Sequence, residues 1–150
     1  MCDLCSSSRL RPPGSGRRCC TPLLYEAFLT SPRWTDEVDV DDEYERYHEH
    51  VRSAAASGLF DILAHIDAIK ARAPHMPTAP ERAWMATVEA VRAADVAVEV
   101  NTAGLRKCGE PFPAWGLVAQ LHSAGVPLTF GSDAHAPDEV AYGWAGFGAG

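Results

Sequence analysis

No apolar run in the 150 residues approaches the ~18 needed to cross a bilayer, so a membrane-spanning helix is not expected. The first residues lack the continuous apolar core of a secretory signal, so export is not expected, and with it disulfide pairing. Positive charge is scarce: 13 Lys and Arg stand against 20 Asp and Glu, a net charge of -7. That balance excludes a protein whose affinity rests on clustered cations against a nucleic-acid backbone. No internal repeat is evident.

Cysteine is confined almost entirely to one place. Four of the five cysteines (Cys2, Cys5, Cys19, Cys20) lie in the first twenty residues. Cys2-x-x-Cys5 suggests half of a zinc knuckle, but the adjacent Cys19 and Cys20 do not supply the other half. The same stretch carries Arg9, Arg11, Arg17 and Arg18 against Asp3, a charge of +3, which leaves -10 for residues 21–150. It has a serine run, Pro12-Pro13-Gly14 and no apolar periodicity. Residues 1–33 are therefore expected to be a disordered or misassigned leader.

Residues 36–49 hold eight acids without the loop glycine and terminal glutamate of a calcium-binding EF-hand. They read instead as the start of a helix capped by Asp41 or Asp42, running to about Ser57 and ended by Gly58. Beyond Gly58 the chain becomes regular. Strands are expected over 59–64, 96–100 and 126–130, and helices over 78–94, 113–124 and from 137 to 142. Alternation of this kind predicts an α/β fold with a parallel sheet or barrel.

Each strand runs into polar residues. The first is followed by His65, Asp67 and Lys70, the second by Asn101 and a glycine-containing loop with Arg106 and Lys107, the third by Ser132, Asp133 and His135. Active sites of parallel α/β folds form at the carboxyl ends of their strands. Asp133-x-His135 can offer a carboxylate oxygen and an imidazole nitrogen to one cation, or can simply cap the next helix with His135 exposed. His65 reads as a satisfied core histidine or as a third ligand. Arg106 suits a phosphate group through its planar fork, whereas Lys107 reads as a solvated charge and Cys108 as a small filler. His48-x-His50 lies within a helix, where residues two apart diverge by about 200°, so both are expected to be exposed and unable to share a metal.

Three stretches carry a resemblance: Gly58-Leu59-Phe60-Asp61-Ile62-Leu63-Ala64-His65-Ile66-Asp67, then Glu99-Val100-Asn101-Thr102-Ala103-Gly104-Leu105-Arg106-Lys107, then Gly131-Ser132-Asp133-Ala134-His135. In order and interval they resemble the histidinol-phosphatase branch of the PHP (polymerase and histidinol phosphatase) family, over roughly residues 34–143. The resemblance implies a distorted TIM-like (β/α)7 barrel binding divalent metals (zinc, manganese or iron). It implies hydrolysis of L-histidinol phosphate, a small phosphorylated substrate, in histidine biosynthesis; the missing export signal, net acidity and lack of a long apolar run lead to the expectation of a cytoplasmic protein with no nucleic-acid or membrane partner. Carried over by position, His65, Asp133 and His135 resemble metal ligands and Arg106 a phosphate-binding residue, with Asn101 and Asp67 supporting them. The family's first-strand His-x-His pair and bridging glutamate have no counterpart upstream of Asp36. Residues 34–150 are accordingly expected to form the C-terminal portion of such a domain. The isolated chain is then either a phosphatase completed elsewhere or a non-catalytic remnant.

Overall fold

Helix α1, Val40–Ala56, begins where Asp39 is held extended (φ -72°, ψ 117°). Its Oδ1 accepts hydrogen bonds from the backbone N–H groups of Asp41 (2.9 Å) and Asp42 (3.2 Å). Asp41, Asp42 and Glu43 then fill the first turn, at the positive end of the helix dipole. The cap is thus Asp39 rather than Asp41 or Asp42. Asp41 is used elsewhere: its carboxylate accepts from the Thr78 N–H and hydroxyl, both at 2.7 Å, tying the start of α1 to the segment that begins the next helix. Ser57 ends α1, and Gly58 follows at φ +67°, a conformation glycine adopts without strain.

The computed structural model describes residues 19–20, 38–73 and 75–146. Helix α2, Pro80–Ala93, starts on a proline whose missing N–H is no loss in a first turn. Its Ala83, Trp84, Thr87, Val88 and Val91 are buried, facing Tyr44, Tyr47, His48, Val51 and Ala55 of α1. Trp84 Nε1 donates to the Tyr44 hydroxyl at 3.2 Å within this interface. His48 is therefore not exposed as expected. The α1 stripe that meets α2 includes it, leaving it fully buried with Nδ1 3.0 Å from Thr87 Oγ1.

Four parallel strands form the sheet in the order β1-β2-β3-β4: β1 Cys19–Cys20, β2 Ile62–Leu63, β3 Ala97–Asn101 and β4 Leu128–Gly131. Cys19 and Cys20 fall within the stretch assigned to a leader, and pair with Ile62 and Leu63. Its residues 1–18 and 21–33, with Cys2 and Cys5, lie outside the described residues. Strand β2 is shorter than the expected 59–64, because the chain bends at Asp61 and turns at His65, where φ is +35°. Parallel neighbours need crossover connections. Helix α2 links β2 to β3, and α3 (Ala103–Cys108) with α4 (Trp115–Ser123) links β3 to β4. One apolar core joins α1 (Tyr44, Val51), α2 (Trp84, Val91) and α4 (Leu117, Leu121) to Leu63 and Val98 of the sheet. Truncating such a residue to alanine typically costs about 2–5 kcal/mol.

Two expectations fail around the strand ends. Residues 103–108, read as a loop, form α3, because the Asn101 side chain starts the turn by accepting from the Ala103 N–H at 2.9 Å. Residues 137–142, read as a helix, form only a 3-10 turn over Pro137–Glu139, with a second over Trp144–Gly146. Val140 is extended (φ -62°, ψ 126°) and Ala141 and Gly143 have φ of +57° and +75°, which no helix accommodates. No helix among the described residues is long and apolar enough to cross a membrane.

Candidate functional site

Because the strands run in parallel, the carboxyl ends of β2, β3 and β4 open on one side of the sheet, and the polar residues noted in the sequence follow those ends. His65 lies two residues past β2, Asn101 is the last residue of β3, and Ser132 and Asp133 follow β4. His65 and Asp133 both have left-handed backbones, at φ +35° and +45°. Non-glycine residues adopt this region at a cost that the surrounding structure must offset, and such residues cluster at functional sites. Burial holds the His65 imidazole below its usual range. The Asp133 carboxylate opposes that shift and the Lys107 ammonium adds to it.

Between them stands Glu99, a residue the site assignment from sequence passed over. Strand alternation puts Val98 and Val100 into the core, and Glu99 and Asn101 together on the other face. Glu99 Oε2 accepts from Asn101 Nδ2 at 2.9 Å. Burial pushes its carboxyl up, against that hydrogen bond and one from the His65 backbone N–H, with the Asp133 charge raising it further. An acid inside an otherwise apolar strand, two residues from Asn101, was the signal available. Asn101 also pairs with Phe112 backbone to backbone, N–H to O at 2.6 Å and O from N–H at 3.0 Å.

Arg106 and Lys107 stand on the last turn of α3. Arg106 Nη2 lies 3.2 Å from Glu139 Oε2, and its guanidinium carbon 5.4 Å from the centre of the Tyr142 ring. Lys107 is not merely solvated: Nζ lies 3.4 Å from Asp133 Oδ2. His135 is exposed, with Nδ1 2.8 Å from the Asp133 carbonyl oxygen, and its backbone N–H donates to Glu139 Oε2 at 2.7 Å. Cys108 is exposed rather than a filler.

Asp67 is fully buried beneath the strand ends. Its Oδ2 accepts from the Ala114 N–H at 2.7 Å and lies 3.1 Å from Lys70 Nζ. Burial pushes its carboxyl up to about 6, against the pull of Lys70. Asp67 and Lys70 thus brace the 110–114 loop.

The structure brings His65, Glu99, Asn101, Lys107 and Asp133 onto one rim, with Arg106 and His135 joined through Glu139. Imidazole and carboxylate donors suit zinc, manganese or iron alike. Their arrangement does not make a metal centre: among the described residues no three His, Cys, Asp or Glu side chains are grouped to hold an ion. The Asp133 carboxylate faces an ammonium, and the His135 ring is turned onto its own chain.

Fold and rim together define a parallel α/β protein with a polar, partly cationic strand-end face. No family model matches the chain. It is 39% identical over 111 residues to a Deinococcus radiodurans protein named "Probable histidinol-phosphatase", covering 73% of this chain and 42% of that protein. It also matches the crystal structure of a Listeria monocytogenes protein described as "putative histidinol phosphatase hisK". The TM-score is 0.62 at 22% identity, over 67% of this chain and 42% of that one. The chain is therefore a homologue of the first and shares the α/β fold of the second, and it spans less than half the length of each.

Proposed function

We propose that these residues form the C-terminal part of a metal-dependent phosphomonoesterase of the PHP family, a histidinol-phosphatase acting on L-histidinol phosphate in the cytoplasm. The single observation that supports this most is the convergence of three successive strand ends on one rim, in a chain homologous to the Deinococcus protein. In this reading the sheet belongs to a distorted (β/α)7 barrel, of which only part lies in the 150 residues. Arg106 grips the phosphoryl oxygens with its fork. His65, Asp133 and His135 are donors to a divalent-metal centre whose other ligands lie outside the described rim. Asn101, held by Glu99, fixes the start of α3 and so the place of Arg106.

Because the donors among the described residues do not group into a metal site, the expectation for the chain alone is little or no turnover. The experiment measures inorganic phosphate released from L-histidinol phosphate with manganese or zinc added. One sample is this chain, and the other is a chimera in which the amino-terminal part of the Deinococcus protein precedes residues 38–146. The chimera should turn over in a metal-dependent way and the chain alone should not. Turnover of several per second by the chain alone would overturn the partial-site reading. A folded chimera without activity would overturn the phosphatase reading.

A further inference from the structure

We infer that Glu139 is a built-in occupant of the anion site, holding the place on Arg106 that a substrate phosphate takes and leaving it when phosphate binds. The inference deepens the proposed function and rests on the reading of Arg106 as a phosphate-binding residue.

A single oxygen, Glu139 Oε2, meets groups from two separate elements: it accepts from the His135 backbone N–H after β4 at 2.7 Å and is ion-paired with Arg106 Nη2 on α3 at 3.2 Å. Two convergent groups, one of them fixed in the backbone, make a cradle for an anionic oxygen. The carboxylate uses that cradle only in part. Arg106 Nη1 is buried and has no hydrogen-bond partner among the described residues, so half of the guanidinium fork is idle. A phosphate group has three terminal oxygens and about twice the charge. It can meet the His135 N–H and both arms of the fork at once, the bidentate geometry for which arginine is suited.

The guanidinium is placed for such an exchange. The centre of the Tyr142 ring lies 5.4 Å from its guanidinium carbon, a second contact that does not depend on the Glu139 carboxylate. Glu139 itself stands on a three-residue 3-10 turn with its side chain 29% exposed, so a rotamer change carries the carboxylate into water. A structural ion pair that only pins residues 137–146 would behave differently, and that difference is measurable.

The test titrates inorganic phosphate into the full chain in metal-free buffer, followed by calorimetry, with amide spectra checking the fold of each variant. Glu139→Gln keeps an oxygen for the His135 N–H but gives up the charge that competes for Arg106. Phosphate should then bind about fivefold more tightly, the worth of one partly exposed ion pair. Glu139→Asp, too short to reach the guanidinium, should tighten binding in the same direction, and Arg106→Gln should abolish it in every background. If Glu139→Gln binds no more tightly than wild type while Arg106→Gln abolishes binding, Glu139 is not an occupant and the phosphate reading of Arg106 stands. If Arg106→Gln binds phosphate as wild type does, the reading of Arg106 itself is overturned.

Discussion

The carboxylate of Glu99 lies where a methyl group on residue 131 would have to go: a Cβ built on Gly131 falls 2.0 Å from Glu99 Oε1 and 2.9 Å from Cδ. Asn101 pairs with Gly131 in the β3–β4 register, so glycine at the end of β4 leaves room for the acid that braces the rim. Gly131→Ala should push Glu99 aside at the expense of its hydrogen bond to Asn101. Because the displaced group is the end of a flexible side chain, the loss of stability should be modest, about 1 kcal/mol. Urea unfolding measures it. In a Glu99→Ala background the glycine substitution should cost almost nothing, and an undiminished cost there would show that the clash is not its source.

Lys70 is another buried charge at this end of the sheet. Its ammonium lies 3.1 Å from both Asp67 Oδ2 and Glu110 Oε1, and donates to the Pro111 carbonyl at 2.6 Å. Lys70→Met preserves volume but strands the fully buried Asp67 carboxylate, which should destabilise the chain by about 3–5 kcal/mol. The double variant Lys70→Met, Asp67→Asn should recover much of that loss. Equal midpoints for the single and double variants in urea would mean that the stranded charge is not the cause.

His48 gives the chain an acid-sensitive core. Burial, with the Arg52 charge adding to it, holds its imidazole at about 3 in the fold. Unfolded, it titrates near 6.5. The folded state thus excludes a proton that the unfolded state binds. The contribution of neutral His48 is complete above about pH 6.5 and is lost progressively as pH falls towards 3, at up to about 1.4 kcal/mol per pH unit. His48→Asn, which keeps a partner for Thr87 and cannot be protonated, should flatten the difference. Measured between pH 7.5 and 4.5, the stability of wild type should fall relative to the variant, and parallel curves would refute the assignment.

How much of this was legible follows from what each feature depends on. Alternating strands and helices needed only local periodicity, and parallel pairing then required the polar residues after β2, β3 and β4 to share one end. His48 was misread because local spacing says which residues share a helix face, not which face meets a neighbour. α1 buries its His48 face against α2, a contact some forty residues away in sequence. Arg106 was placed on a loop because Gly104 suggests one. The α3 backbone instead packs so close to the 110–112 segment that a Cβ there would fall 2.3 Å from the Glu110 carbonyl oxygen, so glycine serves close approach rather than flexibility. The failed helix at 137–142 turns on Ala141 at φ +57°, which no local signal marks. Glu99 was visible as an acid in an apolar strand, but beside Asn101 of its own strand the groups acting on it, His65 and Asp133, come from the neighbouring strand ends.

Kinetics of the active chimera would separate the two roles open to Arg106. If its fork holds the phosphate equally in the ground and transition states, Arg106→Ala should raise KM about ten- to a hundredfold, the worth of hydrogen bonds to a charged group, with kcat nearly unchanged. Glu139→Gln should lower KM, since the competitor for the same guanidinium is weakened. A fall in kcat at constant KM for Arg106→Ala would instead place the guanidinium on charge that develops in the transition state. In that case Glu139→Gln should raise kcat and leave KM unmoved, so the pair of variants distinguishes the two roles where either alone is ambiguous.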